Sequence, residues 1–260
     1  MLLTLDVGNS QIFGGVHEGE QLRLTFRKTS VIRASSDEFG TFFRTTLREN
    51  GIEPERISGA AICSVVPDAV HSLRNSMRKY FRLEPFLLQP GVKTGLKIRY
   101  RNPLEVGADK IANAIGALGK FPGRNLLIVD FGTATTICAV TKDREYLGGV
   151  ITPGLNISMS ALESQTARLP TVEIVRPESV LGRSTVESIQ SGLYYGTLAT
   201  VRSLAEWVTK EHFAAEPPLI VGTGGFGRLY EQEKLFDAFV PELALAGLRR
   251  AFEMSQAERG

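Results

Sequence analysis

Two aspartates, Asp6 and Asp130, each follow a short apolar run and precede a small polar turn. Around Asp6 the chain reads LLTLDVGNSQIFGGV, and around Asp130 it reads LLIVDFGTATTICAV, with a glycine two positions after each aspartate. A carboxylate at the end of a strand can accept water or a hard divalent cation. A glycine beside it lets the backbone approach a bulky anion closely. The pattern predicts two turns that contact the phosphates of one nucleotide.

Either turn alone is equally typical of an ordinary connection, because Gly, Asn, Ser and Asp are the common turn residues. The repetition favours a tandem duplication, with two β-hairpins facing each other across a cleft. A third glycine-rich stretch, GTGGFG at residues 222–227, follows an apolar run at the end of a predicted strand. Glycines there allow a flat ring to lie against the backbone, so this stretch is a candidate adenosine pocket.

The elements that must position these turns follow from hydrophobic periodicity, which predicts an α/β order. The first hairpin is followed by predicted strands at 21–27, 57–66 and 86–88, and by helices at 38–49, from Pro67 to Phe81 (apolar face Val70, Leu73, Met77, Phe81) and from Gly107. The second half has predicted strands at 126–130, 135–141, 145–152 and 219–221, and helices at 155–165, from Ser184 and at 241–255. Residues 89–105 form a Pro, Gly and basic loop, which is either functional or a solvated connector.

The long helix that begins near Ser184 has two notable features. Ser184 and Glu187 have the spacing of a capping box. Gly192, Gly196 and Ala199 form a stripe of small residues that would let another backbone come close. The stripe is explained equally well by internal packing and by a helix pair across a dimer interface.

Composition bounds the class of protein. The chain has 260 residues, 43% of them hydrophobic and 22% charged, with a net charge of +2, which is typical of globular domains. No Lys/Arg block with interleaved aromatics indicates a nucleic-acid surface, and no apolar run reaches the ~20 residues of a membrane span. Cys63 and Cys138 lie in apolar strand-like segments and suggest buried thiols in a reducing compartment. We expect a cytoplasmic protein without a signal peptide.

Taken together, these motifs resemble a known superfamily. Tandem Asp-x-Gly hairpins with a late glycine-rich strand end are similar to those of acetate and sugar kinases, Hsp70 and actin. Within that superfamily, LDVGNS, GADK, DFGTATT and GRSTVESIQSG, in this order, resemble type III pantothenate kinase. The resemblance implies two duplicated ribonuclease-H-like domains around a nucleotide cleft. Residues 1–118 would carry the ATP hairpin and substrate loop, and residues 119–260 the second phosphate hairpin and adenosine pocket.

The resemblance also implies an activity and a set of residues. The activity is ATP-dependent phosphorylation of pantothenate to 4′-phosphopantothenate, the first step of coenzyme A synthesis, by a homodimer with its active sites near the interface. The implied ATP-binding residues are Asp6, Val7, Gly8, Asn9, Ser10, Gln11, Ile12, Phe13 and Thr133. The implied substrate-binding residues are Tyr100, Gly107, Ala108, Asp109, Lys110 and Thr185. Asp109 is the implied proton acceptor, Asp130 the ligand of a K⁺ or NH₄⁺ ion, and Asp6 lies near Mg²⁺, through water.

Two observations limit how far the family's residue roles can be transferred to this chain. An acid in the first turn of a helix, such as Asp109, is also explained by capping. The family usually has Arg where this chain has Lys110. The planar guanidinium of arginine can bind a carboxylate through two hydrogen bonds at once, and the ammonium of lysine offers only a point charge. The alternatives are another small-molecule kinase or a phosphatase on the same scaffold, or a catalytically silent nucleotide-binding regulator. A DNA-binding role is less favoured, because no basic face or recognition helix is evident.

Overall fold

Each of the two apolar runs that end in aspartate forms the first strand of a separate unit. The computed structural model describes residues 1–30, 34–166 and 169–257. One unit comprises Met1–Lys120 together with the C-terminal segment from Leu243, and the other is Phe121–Glu242. The elements in chain order are β1 (Leu2–Val7), β2 (Gln11–Glu18), β3 (Gln21–Thr29), α1 (Ser36–Glu49), β4 (Gly59–Ser64), α2 (Pro67–Phe81), β5 (Phe86–Leu88), β6 (Lys97–Ile98), α3 (Ala108–Lys120), β7 (Leu126–Phe131), β8 (Ala134–Val140), β9 (Glu145–Pro153), α4 (Leu155–Gln165), α5 (Thr185–His212), β10 (Leu219–Thr223), β11 (Ala238–Phe239) and α6 (Leu243–Ala257).

The sheet of the first unit has the order β3-β2-β1-β4-β5. Strands β1, β2 and β3 form an antiparallel meander, and β4 and β5 join β1 in parallel. Helices α1 and α2 cover one face of this sheet. Their buried side chains join those of β1, β2 and β4 in one core, with Phe39, Phe43, Leu47, Leu73 and Met77 fully buried.

The C-terminal helix α6 belongs to the first unit, because it packs tightly against α3. A Cβ added at Gly247 would lie 1.8 Å from the Ala112 carbonyl oxygen, and one at Gly116 would lie 2.4 Å from the Leu243 carbonyl oxygen. Only glycine permits backbones to approach this closely. The expected division at residue 118 assigned everything after it to the second domain. In the structure the segment from Leu243 instead returns to the first unit.

The second unit repeats the arrangement of the first. Its strands follow the order β11-β10-β7-β8-β9. Strands β7, β8 and β9 are an antiparallel meander, and β10 and β11 add to β7 in parallel. Asp6 and Asp130 therefore occupy equivalent places in two equivalent sheets, as the duplication in the sequence predicted. In the core, the Phe131, Tyr230 and Tyr194 rings stack with centroid separations of 4.9 and 5.0 Å.

Local predictions failed where packing decides the outcome. On α2 the buried stripe contains Ala69 instead of the predicted Val70, which is only half-buried. The strand predicted at 57–66 is shorter, because Pro54 starts a helical turn before it and Pro67 starts α2 after it. The segment predicted as an open loop contains the short strand β6 and a 3₁₀ turn at Pro103–Glu105. None of the helices in the described part of the chain combines the length and apolarity needed to cross a bilayer.

Candidate active site

The turn after Asp6 has a shape held by its own backbone. Asp6 pairs with Phe13 across the antiparallel hairpin. The Gly8 N–H donates to the Gln11 carbonyl oxygen at 3.0 Å, and the Ser30 hydroxyl donates to the Gly8 carbonyl oxygen at 2.5 Å. A Cβ at Gly8 would lie 3.2 Å from the Gln11 carbonyl oxygen, so a larger residue would crowd the turn.

The exposed edge of this turn is suited to an anion. Asn9, Ser10 and Gln11 are exposed. The Arg27 guanidinium lies over the Phe13 ring, 4.1 Å from its centroid, and donates to the Gln11 side-chain oxygen at 3.4 Å. Short polar side chains and one fixed cation therefore surround the turn.

Two of the predicted ATP-binding residues face away from this edge. Val7 and Ile12 are each only 1% exposed and belong to the core between the sheet and helices α1 and α2. Their side chains therefore hold the hairpin in place, and only their backbone groups can serve a ligand.

A buried thiol lies beside Asp6. Parallel pairing of β1 with β4 places Cys63 opposite Asp6, and the Cys63 thiol donates to Asp6 Oδ1 at 3.2 Å. Burial raises the pKa of the Cys63 thiol well above its usual range, and the charges of Asp6 and Asp109 raise it further. The thiol therefore keeps its proton. Both carboxylates are close enough to act on the same sulfur.

Asp109 lies in the first turn of α3 with one oxygen available. Its Oδ1 atom is buried and has no hydrogen-bond partner among the described residues. The Lys110 ammonium lies 3.6 Å from Oδ2, and a Cβ at Gly107 would lie 2.3 Å from Oδ1. Ala108 is buried and packs the helix start. The GADK motif thus presents a carboxylate with an unused acceptor beside a cation.

Tyr100 lies in the connection between β6 and α3. The Tyr100 ring is half-buried. The chain then enters the 3₁₀ turn, where Asn102 Oδ1 accepts from the Leu104 N–H at 3.2 Å. The turn leads directly to Gly107. Local structure therefore joins Tyr100 and Asp109 within one segment of the first unit.

In the second unit, Asp130 pairs with Thr136 across the hairpin and with Thr223 on the parallel strand β10. Gly132 and Thr133 form the turn, and the Thr133 side chain is exposed at its tip. The hydroxyl-bearing neighbours give this aspartate a polar, oxygen-rich environment.

The glycine-rich segment after β10 packs directly on this hairpin. Gly224 has φ +88°, and a Cβ there would lie 2.4 Å from Asp130 Oδ1 and 2.6 Å from the Phe131 backbone. The Phe226 N–H donates to the Phe131 carbonyl oxygen at 3.2 Å. The assignment of residues 222–227 to adenosine stays a prediction.

Thr185 begins α5 and lines a cleft between α4 and α5. Ser184 caps the helix by accepting from the Glu187 N–H at 3.2 Å. The other half of the predicted capping box is displaced by one residue, because the Glu187 carboxylate accepts from the Arg183 N–H at 2.6 Å. The cleft has a volume of about 1080 Å³. Its polar lining includes Ser158, Gln165, Thr166, Arg183, Thr185 and Ser188.

The donor sets suit the expected cations in different ways. Within the described residues, no three His, Cys, Asp or Glu side chains form a metal-binding group. One carboxylate beside a phosphate-binding turn, as at Asp6, suits Mg²⁺, which is commonly bound by one or two carboxylates, substrate phosphates and water. At Asp130, Thr136 and Thr223 are the register partners on the neighbouring strands, and Gly224 packs closely against Oδ1. A carboxylate with hydroxyl-bearing neighbours fits a monovalent cation held by hard oxygen ligands.

Sequence reasoning treated Cys63 as a buried thiol only and missed its contact with Asp6. The spacing of the two residues along the chain carries no indication of it. The contact follows from the parallel pairing of β1 with β4, and that pairing is known only once the order of strands in the sheet is known.

Solved structures share this architecture. A conserved Baf family protein of Campylobacter jejuni matches with a TM-score of 0.61 at 18% identity, covering 98% of this chain and 99% of that one. An activator of 2-hydroxyisocaproyl-CoA dehydratase from Clostridium difficile, with bound ADPNP, matches with a TM-score of 0.52 at 12% identity, covering 99% and 96%. At such identities the likeness shows the fold alone. Two sheets of the same arrangement, each with an aspartate in its first hairpin, are the fold of the actin and sugar-kinase class.

The family is defined by sequence. The family model for type III pantothenate kinase matches residues 2–206. The type III pantothenate kinase of Legionella pneumophila (strain Corby) is 53% identical over 257 residues, which cover 99% of this chain and 100% of that protein. The chain belongs to the type III pantothenate kinase family.

Proposed function

We propose that this protein transfers the γ-phosphoryl group of ATP to the hydroxyl of pantothenate, giving 4′-phosphopantothenate for coenzyme A synthesis. The observation that carries the proposal is full-length relationship to type III pantothenate kinases, together with the GADK motif that begins α3. The fold alone would leave the acceptor open, because it hosts many substrates.

Asp109 is assigned the proton-accepting role. Its side chain is 28% exposed and its Oδ1 has no partner in the described part of the chain, so the carboxylate can accept a hydrogen bond from a substrate hydroxyl. Asp109 lies in the first turn of α3, and the Lys110 ammonium is 3.6 Å from its Oδ2. Phosphoryl transfer proceeds through a loose transition state, so the main task of this group is to orient the hydroxyl.

The two hairpins are assigned to ATP. In the first, the proposed contacts are the backbone of residues 7–13, the side chains of Asn9 and Ser10, and Asp6 near the phosphates. In the second, Thr133 is proposed to hold a phosphate oxygen, with residues 222–227 against the adenosine. Preorganised backbone turns of this kind need no rearrangement to hold phosphate oxygens, which is the basis of electrostatic catalysis.

Two cations are proposed. Asp6 would hold Mg²⁺, through water, and Asp130 would bind K⁺ or NH₄⁺. When bound, these ions neutralise charge on the phosphates. The chain itself supplies one carboxylate for each ion, that of Asp6 and that of Asp130.

Pantothenate is proposed to contact Tyr100, residues 107–110 and Thr185. Lys110 can attract the substrate carboxylate as a charge, but it cannot grip it with the fork of an arginine. Thr185 supports a substrate role because it is exposed on the cleft of the second unit.

A homodimer with its active sites near the interface is also proposed. Exposed apolar side chains lie beside this cleft, with Val180 66%, Leu181 82% and Val186 43% exposed. On α5, a Cβ at Gly192 or Gly196 would meet no atom within 4 Å in the described chain. Clustered exposed apolar residues and an open small-residue stripe favour contact with a second copy. The buried thiols support a reducing, cytoplasmic location.

The decisive experiment is ATP turnover with pantothenate and Mg²⁺, run with K⁺, with NH₄⁺ and with Na⁺ alone. We expect product only with pantothenate and a strong dependence on K⁺ or NH₄⁺. Asp109→Asn should reduce kcat by about 10²-fold or more while nucleotide binding persists, since general-base assistance contributes about 10²–10⁴-fold.

The outcomes separate the alternatives. Turnover with another alcohol but not pantothenate would indicate a different small-molecule kinase. ATP binding without turnover of any acceptor would indicate a silent nucleotide-binding regulator. Full activity of Asp109→Asn would remove the assignment of the proton acceptor and leave the substrate assignment intact.

A further inference from the structure

A fully buried cysteine contacts one of the two carboxylates that the proposed reaction uses in the first unit. Cys63 and Asp6 are register partners on the parallel strands β4 and β1, so their side chains lie on the same face of the sheet. The Cys63 thiol donates to Asp6 Oδ1 at 3.2 Å. Cys63 has no exposed surface.

The thiol is the donor in this contact, and its burial removes it from solvent. A protonated thiol is a poor nucleophile and a poor metal ligand, since both roles need the thiolate. The neutral Cys63 thiol can instead donate a hydrogen bond to the Asp6 carboxylate without adding a charge beside it.

The duplicated unit has a comparable group at the same place. The parallel partner of Asp130 is Thr223, on β10, and it is also buried. A thiol in one unit and a hydroxyl in the other are both small side chains that can donate a proton. The position beside each strand-end aspartate is therefore filled by a short neutral donor in both sheets.

We propose that Cys63 is a positioning residue for phosphoryl transfer, which holds the Asp6 carboxylate in one orientation through the hydrogen bond from its thiol. The proposal rests on the proposed function, in which Asp6 serves the nucleotide phosphates and Asp109 serves the acceptor hydroxyl. Without the donor, the Asp6 carboxylate loses one hydrogen bond that fixes its orientation.

The hydrogen bond can be tested without catalysis, by the infrared S–H stretch. The sequence has only two cysteines, so Cys63→Ser and Cys138→Ser assign the two bands. We expect the Cys63 band to move to higher wavenumber in Asp6→Asn, because a neutral amide is a weaker acceptor. Asp109→Asn is the matched control and should move the band less. A Cys63 band that is unchanged in Asp6→Asn would overturn the proposal.

The positioning role is tested by Mg·ADP binding and by steady-state kinetics. Cys63→Ala should lower kcat and Mg·ADP affinity by about tenfold, the equivalent of one hydrogen bond to a charged group, with little change in the KM for pantothenate. Cys63→Ser, which keeps a donor, should recover most of the loss. Cys138→Ala is the control: Cys138 is buried on β8 of the second unit, where it accepts from the Tyr146 hydroxyl at 3.2 Å.

Each result bears on the proposal. Wild-type behaviour of Cys63→Ala, or no recovery in Cys63→Ser, would refute a positioning role. If Cys63→Ala does not fold, the infrared shift in Asp6→Asn and Mg·ADP binding by Cys63→Ser still decide the question. If the wild-type protein binds Mg·ADP but does not phosphorylate pantothenate, the proposed function fails while the binding and infrared results still judge Cys63.

Discussion

Acidification should destabilise the first unit through one buried histidine. His17 lies on β2, is 3% exposed, and its Nε2 atom is 3.2 Å from the Thr4 hydroxyl. The Thr4 hydroxyl itself donates to the Gly15 carbonyl oxygen, so Nε2 is the donor in that contact. Nδ1 is buried and has no hydrogen-bond partner within residues 1–30, 34–166 and 169–257. A proton added to Nδ1 would therefore place an unpaired charge in the interior.

The size of the effect follows from the two protonation equilibria. Burial, and then the positive charge of Arg249, lower the pKa of His17 from 6.5 to about 4. Between these values the unfolded chain binds a proton that the folded chain does not, so the stabilising contribution is complete above pH 6.5 and is lost as pH falls. The loss is at most about 1.4 kcal/mol per pH unit, or about 3 kcal/mol in total by pH 4.

Urea unfolding followed by far-UV circular dichroism, between about pH 7 and pH 4, measures this loss. Other groups titrate in the same interval, so the comparison is between the wild type and His17→Gln, which keeps an amide donor near Thr4 but cannot gain a proton. We expect His17→Gln to lose about 3 kcal/mol less than the wild type over the interval. His212→Gln, at an exposed histidine, should behave as the wild type. Equal pH dependence of His17→Gln and wild type would refute the reasoning.

Three further predictions concern the site and its support. Gly224→Ala should raise the concentration of K⁺ needed for half-maximal activity and lower the melting temperature, because the new Cβ would lie 2.4 Å from Asp130 Oδ1 at a φ of +88°; unchanged K⁺ dependence would contradict the packing argument. Lys110→Arg should lower the KM for pantothenate severalfold with little change in kcat, since a fork binds a carboxylate better than a point charge does; steady-state kinetics check this, and a fall in kcat would instead indicate disturbance of Asp109. Tyr194→Phe should cost about 1–2 kcal/mol in urea unfolding, because its hydroxyl donates to Glu233 at 2.8 Å; no loss would show that this bond is offset by solvent.

Several elements were predictable because their information is local. The helix predicted at 38–49 forms as α1, which begins two residues earlier, at Ser36, and buries Phe39, Phe43 and Leu47 at helical spacing. Its start and its buried face both follow from residues a few positions apart. The buried face of α2 was predicted less well. The orientation of the helix against the sheet decides whether Ala69 or Val70 is buried, and that orientation is not encoded locally.

The candidate site divides in the same way. The Asp-x-Gly hairpins and the GADK helix start are each contiguous in sequence, so their chemistry could be proposed from residue types. The contact between Cys63 and Asp6 could not, because it arises from pairing between strands far apart in the chain.

The sequence by itself determined the duplication, the two strand-end aspartates and the family, because these are written in contiguous motifs. Tertiary structure alone decided that the helix from Leu243 returns to the first unit and that a thiol contacts Asp6. The physical reason is that both depend on close approach between distant segments. The glycines at 116 and 247 bring two helix backbones together, and parallel pairing of β1 and β4 brings a sulfur to a carboxylate.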